Sequence, residues 1–193
     1  MKTVSMSGSL RANVGKKDAK MNRASGQIPC VLYGGKEELH FAIESKVLDT
    51  IIFTPYTYLI DLDIDGRKFT ATLQDIQYHP VSDQTLHADF LQVTAGKPII
   101  VSLPIRIEGN SPGVLRGGKI VKKFRKLKVK GLSEHMPEEV VINISNMEID
   151  DVVRISDIKI PQIEILEVQA NMVITVASTR AVDPAAAAVP GAK

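Results

Sequence analysis

A chain of 193 residues, 44% apolar and 24% charged, has room for one large domain or two modest ones, and two are expected. Tryptophan is absent and Cys30 is the single cysteine, so the cores are built from Ile, Val and Leu, and neither an intrachain disulfide nor a cysteine-based zinc cluster can form. The net charge of +2 excludes a uniformly basic nucleic-acid binder, but it averages over a strongly uneven distribution.

Between Lys2 and Arg23 the basic residues Lys2, Arg11, Lys16, Lys17, Lys20 and Arg23 meet a single acid, Asp18. Residues 2–9 carry mixed small and polar side chains, and Arg11 to Gly26 shows little apolar periodicity, so this stretch reads as a flexible basic arm or long loop. The apolar run Ile28 to Tyr33, stopped by Gly34-Gly35, predicts a short strand ending in a turn, and Glu38 to Ile43 predicts another. Ser45 is placed to cap a short helix in which Val47, Leu48, Ile51 and Ile52 share one face, ended by Thr54-Pro55.

The runs Tyr58 to Ile64 and Arg67 to Gln74 flank Asp65-Gly66, the dipeptide favoured in two-residue hairpins. That turn sets Ile64 opposite Arg67, Leu62 opposite Phe69, Ile60 opposite Ala71 and Tyr58 opposite Leu73, with Asp61, Asp63, Lys68, Thr70 and Thr72 on a wet face. A third strand is expected over Gln74 to His79, a loop over Pro80 to Asp83, and a further strand over Thr85 to Val93.

Thr94-Ala95-Gly96-Lys97-Pro98 is the expected boundary, giving domains over 1–94 and 95–178 and a frayed tail over 179–193. The second domain opens with a strand from Pro98 to Ile107. A loop bracketed by Gly109 and Gly118 follows, then a basic strand from Lys119 to Lys130, and further strands over Val140 to Ile144, Val152 to Ile155 and Met172 to Val176. From Arg116 to Lys130 there is no acid, so a second positive surface is expected there, most simply as the wet face of a sheet.

Chemistry concentrates in the first domain. On the Thr85 to Val93 strand, Leu86, Ala88 and Phe90 share one face and His87 and Asp89 the other, where they can hydrogen-bond ribose hydroxyls and base edges. Arg11, Lys16, Lys17, Lys20 and Arg23 are suited to phosphates, and Tyr33 to stacking or to a hydroxyl contact beside glycines that admit a backbone closely. A Walker-type loop is missing, since Lys119 is followed by Ile120. The four histidines have no metal-site spacing, no serine elbow appears, and no cofactor or small-molecule substrate is expected. No apolar run approaches the roughly 20 residues of a membrane span, and a cytoplasmic protein that is neither exported nor embedded in a membrane is expected.

The order Gln27-Ile28-Pro29-Cys30-Val31-Leu32-Tyr33-Gly34-Gly35, with Arg23 six residues before Pro29, then Gln77-Tyr78-His79-Pro80-Val81, His87-Ala88-Asp89-Phe90, Gly113-Val114-Leu115-Arg116-Gly117-Gly118 and Ile158-Lys159-Ile160-Pro161, resembles one family over nearly the whole chain. It is that of the twenty-fifth protein of the bacterial large ribosomal subunit, in the long two-domain form also called general stress protein CTC. The resemblance implies a mainly β protein with a few short helices: an N-terminal six-stranded β-barrel similar to the anticodon-binding barrels of glutaminyl-tRNA synthetase, followed by a mostly β domain. It also implies a non-enzymatic ribosomal component that binds 5S ribosomal RNA, beside neighbouring large-subunit proteins, through Arg11, Lys16, Lys20, Arg23, Tyr33, His87 and Asp89. The segment Lys20-Met21-Asn22-Arg23-Ala24 replaces a denser arginine cluster seen in many members. Two rivals remain at this point: a stress-induced protein-interaction module acting through residues 95–178, and a hydrolase using His87 and Asp89 as acid and base.

Overall fold

The computed structural model describes residues 1–35, 37–94 and 96–179. Two compact units are present, one of Met1–Val101 with Lys130–Glu138, the other of Ser102–Val129 with the described residues from Glu139 on. The tail expected over 179–193 falls, from residue 180, outside the described residues.

The first unit contains β1 (Lys2–Leu10), α1 (Lys16–Ala24), β2 (Gln27–Tyr33), β3 (Leu39–Glu44), α2 (Ser45–Ile52), β4 (Tyr58–Ile64), β5 (Arg67–Tyr78) and β6 (Thr85–Gln92). Its strands close into a six-stranded barrel in the order β1-β3-β2-β6-β5-β4. β1 runs parallel to β4, from Lys2 opposite Tyr58 to Gly8 opposite Ile64, and β2 runs parallel to β6. Closure removes every sheet edge, and alternation along each strand sends Leu32, Phe41, Ile43, Ile60, Leu62, Ile64 and Phe90 into a common core. Phe41 and Phe90 meet there with ring centroids 5.6 Å apart and planes tilted by 47°.

The Asp65-Gly66 turn forms as expected, with φ of 47° and 83°, and pairs Ile64 with Arg67, Leu62 with Phe69 and Ile60 with Ala71. The ladder ends at Leu59 opposite Thr72. Thr72, expected on the wet face, is fully buried. The strand expected over Gln74 to His79 is not a separate element but the second half of β5, which continues across a β-bulge. Ser45 is the first helical residue of α2 and not its cap; Glu44 occupies the cap position, and the Ser45 hydroxyl donates to Asp49 Oδ2 at 3.3 Å.

The basic arm is the main correction. Its first part is β1, and Lys16 to Ala24 is helix α1. β1 hides from a periodicity search because its inward positions are Val4, Met6 and Gly8, of which only Met6 is deeply buried. Gly8 is the point of closest approach to β3, since a Cβ there would lie 2.9 Å from Phe41 Cδ2 and 3.1 Å from the Ala42 carbonyl oxygen. Helix α1 buries none of its residues, so it has no apolar stripe to betray it, while its Lys, Ala, Met and Arg residues favour helix.

The second unit holds β7 (Ile99–Glu108) from Ser102 on, the single turn α3 (Pro112–Leu115), β8 (Lys119–Lys122), β9 (Lys126–Gly131) up to Val129, β10 (Val140–Asn143), β11 (Val152–Arg154), β12 (Ile163–Ile165) and β13 (Met172–Ala177). One sheet has the order β10-β7-β9-β12 and the other β11-β13-β8. The strand expected over Lys119 to Lys130 is thus two strands in different sheets, separated by Lys123-Phe124-Arg125. β12, only three residues long, had no visible signal. Leu103, Leu127, Val129, Val173, Ile174 and Val176 are fully buried in this unit.

Candidate nucleic-acid interface

The candidate site lies on the outer face of the barrel where β2 and β6 run side by side. Cys30 pairs with Ala88 and Leu32 with Phe90, and all four side chains point into the core. Alternation therefore turns Val31, Tyr33, His87, Asp89 and Leu91 outward. The same register carries the outer face onto the neighbouring strands, where His40 of β3 stands beside Val31, Gln77 of β5 beside His87, and Asp75 of β5 beside Asp89.

Within this row His87 Nδ1 lies 2.7 Å from Asp89 Oδ1, with the two side chains about equally half-buried. The two atoms are close, but Nδ1 is buried and the pair lacks hydrogen-bond geometry, so proximity and not a hydrogen bond joins His87 to Asp89. Tyr33 ends β2 just before Gly34, whose φ is 90°. Burial raises its hydroxyl above the ordinary value of 10.0, and the carboxylates of Asp89 and Asp75 push in the same direction. The phenol therefore stays protonated at neutral pH and can donate a hydrogen bond.

Helix α1 supplies the charge. Lys16, Lys17, Lys20 and Arg23 are exposed, and Lys16, Lys20 and Arg23 fall on one side of the helix by their i, i+4, i+7 spacing. Arg23 Nε donates to the carbonyl oxygen of Leu86 at 3.0 Å, which ties the last turn of α1 to β6 immediately before His87. The terminal nitrogens of Arg23 have no partner among the described residues. Arg23, Tyr33, His87 and Asp89 are thereby brought together, with Lys16 and Lys20 extending the cationic edge along the helix.

Arg11 differs from its expected part. Its Nε and Nη2 both donate to Asp18 Oδ2, at 2.9 and 2.6 Å, the Asn22 amide donates to the same oxygen at 3.1 Å, and the Arg11 side chain is only 8% exposed. The Arg11 backbone N–H also donates to the carbonyl oxygen of His40. This residue anchors α1 to the end of β1 and offers no free guanidinium. Sequence reasoning also passed over His40, Asp75 and Gln77, whose place beside the site comes from strand register across distant segments. Of these, Gln77 lay in a family-like motif and on an expected strand, without a site role.

Among the described residues no group of three His, Cys, Asp or Glu side chains is placed to hold a metal ion, and no helix is long and apolar enough to cross a membrane. The family model described as the ribosomal L25p family matches residues 6–90, and the model for the C-terminal domain of ribosomal protein TL5 matches residues 98–180. Among similar proteins, the large ribosomal subunit protein bL25 of Bacteroides fragilis is 39% identical over 194 residues, covering 97% of this chain and 98% of its own. The bL25 proteins of Amoebophilus asiaticus, 39% identical over 191 residues with 99% and 97% covered, and of Porphyromonas gingivalis, 37% identical over 188 residues with 96% and 98% covered, are similar to the same extent.

Proposed function

The chain belongs to the ribosomal L25p family, and from that premise we propose that its barrel binds 5S ribosomal RNA within the large ribosomal subunit. It is a ribosomal protein of the cytoplasm and not an enzyme, which removes the hydrolase alternative for His87 and Asp89. The reading assigns RNA binding to the domain spanning 1–94, keeps 95–178 as a second domain, and gives the protein neighbouring large-subunit proteins as further partners.

The observation that carries the proposal is the seating of a cationic helix edge against a row of hydrogen-bonding side chains. Lys16, Lys20 and Arg23 meet phosphates, while Tyr33, His87 and Asp89 offer donors and acceptors suited to ribose hydroxyls and base edges. Arg11 contributes by holding the helix in place. The sparse arginine content of the helix makes affinity depend on few contacts, so each should be felt.

The test is a titration of the full chain against 5S RNA, with an unrelated structured RNA of equal length as competitor. Selective binding is expected, and Arg23→Ala should weaken it by about 1 to 3 kcal/mol while the protein stays folded. Equal affinity for both RNAs, or an Arg23→Ala variant that binds 5S RNA as well as the parent, would refute the assignment.

A further inference from the structure

Strand β5 does not run straight past β6. Leu73 pairs with Phe90 and Asp75 pairs with Asp89, so Gln74 is the extra residue of a β-bulge. Unbroken alternation would put Gln74 beside Asp89 and turn Asp75 inward, opposite the core residue Ala88. The bulge sets half-buried Ile76 opposite Ala88 and leaves Asp75 exposed beside Asp89.

Two further observations place the Asp75 carboxylate. Its Oδ1 accepts a hydrogen bond from the Ile76 backbone N–H at 2.9 Å, which orients the group. Its charge is felt at the Tyr33 hydroxyl together with that of Asp89, so all three groups share one surface. Among the described residues Asp75 has no ion-pair partner, whereas Asp89 Oδ1 lies 2.7 Å from His87 Nδ1. Like charges on directly opposed positions of neighbouring strands are destabilising. A bulge that re-aims an acid from the core to this surface creates that cost beside the proposed RNA site, and a ligand rich in hydrogen-bond donors relieves it.

We propose that Asp75 is a specificity-determining residue of the RNA face, accepting hydrogen bonds from neutral donors of the bound RNA and turning phosphates away from the β5–β6 surface. The inference rests on the reading that the barrel binds 5S RNA. With phosphates drawn to α1 and repelled from Asp75, only one orientation of the RNA satisfies both. The donors are of one chemical kind, supplied by ribose 2′-hydroxyls or by the guanine 2-amino group.

The experiment compares the full-length parent, Asp75→Asn and Asp61→Asn for binding to 5S RNA and to an unrelated structured RNA of equal length. Asp61 is an exposed acid of β4, so its variant reports the general effect of removing a negative charge. Asp75→Asn is expected to lose at least about tenfold of the preference for 5S RNA, and Asp61→Asn to keep that preference. Repeating the comparison on 5S RNA carrying inosine in place of guanosine, or 2′-fluoro pyrimidines, identifies the donor, because the deficit of Asp75→Asn shrinks on the RNA that lacks it. An Asp75→Asn variant with the parental preference, or equal changes in both variants, would overturn the inference. A parent protein with no preference would instead overturn the 5S reading, and this inference with it.

Discussion

Cys30 lies directly beneath the candidate site, fully buried, with its thiol donating to the carbonyl oxygen of Ile28 at 3.4 Å. Burial pushes the thiol from an ordinary 9.0 up to about 12, chiefly because a thiolate there would lose its hydration. The charge of Asp89 adds to the rise, and the backbone hydrogen bond at Ala88 and the charge of Arg11 oppose it. The folded state therefore keeps the proton more tightly than the unfolded state, so the associated stability is complete below about pH 9 and fades as the pH rises toward 12. At pH 8 the native thiol should resist alkylation and become reactive only in denaturant. Iodoacetamide labelling of the native chain as fast as of a free thiol would contradict this placement.

Helix α1 shows how a functional element can be illegible in sequence and still well held. It buries no residue, so apolar periodicity does not separate it from a solvated loop, and only its helix-favouring composition hints at it. Its attachments are polar: Arg11 and Asn22 both donate to Asp18 at one end, and Arg23 reaches the distant Leu86 carbonyl at the other. Asp18→Ala should therefore leave the largely buried Arg11 side chain without its carboxylate, loosen the helix and lower both helical content and RNA affinity. Lys20→Ala, on the exposed side, should lower affinity alone. Circular dichroism and RNA binding on the two variants separate these roles, and an Asp18→Ala variant with unchanged helicity would show that the pair does not anchor α1. The hairpin of β4 and β5 stands at the other extreme, because Asp65-Gly66 determines its register locally. His87 and Asp89 could be named from strand alternation and Tyr33 from its place before Gly34-Gly35, but their assembly with Asp75 and Gln77 depends on a bulge and on pairing between segments that are distant in sequence.

At the scale of the whole molecule, two cation-rich stretches compete for the polyanion. Lys16, Lys17, Lys20 and Arg23 sit on α1, whereas Lys119, Lys122, Lys126 and Lys128 lie on β8 and β9 of the second unit. In β9 the burial of Leu127 and Val129 alone suffices to turn Lys126 and Lys128 outward, which is the ordinary wet face of a sheet. In α1 no buried residue sets the orientation, and the cations are aimed by Arg23 docking beside His87. Counterion release makes the distinction measurable, because the logarithm of the binding constant falls with the logarithm of salt in proportion to the phosphates neutralised. Replacing Lys16 and Lys20 together by Ala should lower that slope for 5S RNA by about 2. The same double replacement at Lys122 and Lys126 should leave the slope and the affinity close to the parent values. A larger change from the second pair than from the first would move the principal 5S contact to the second unit, and with it the proposed role of the barrel face.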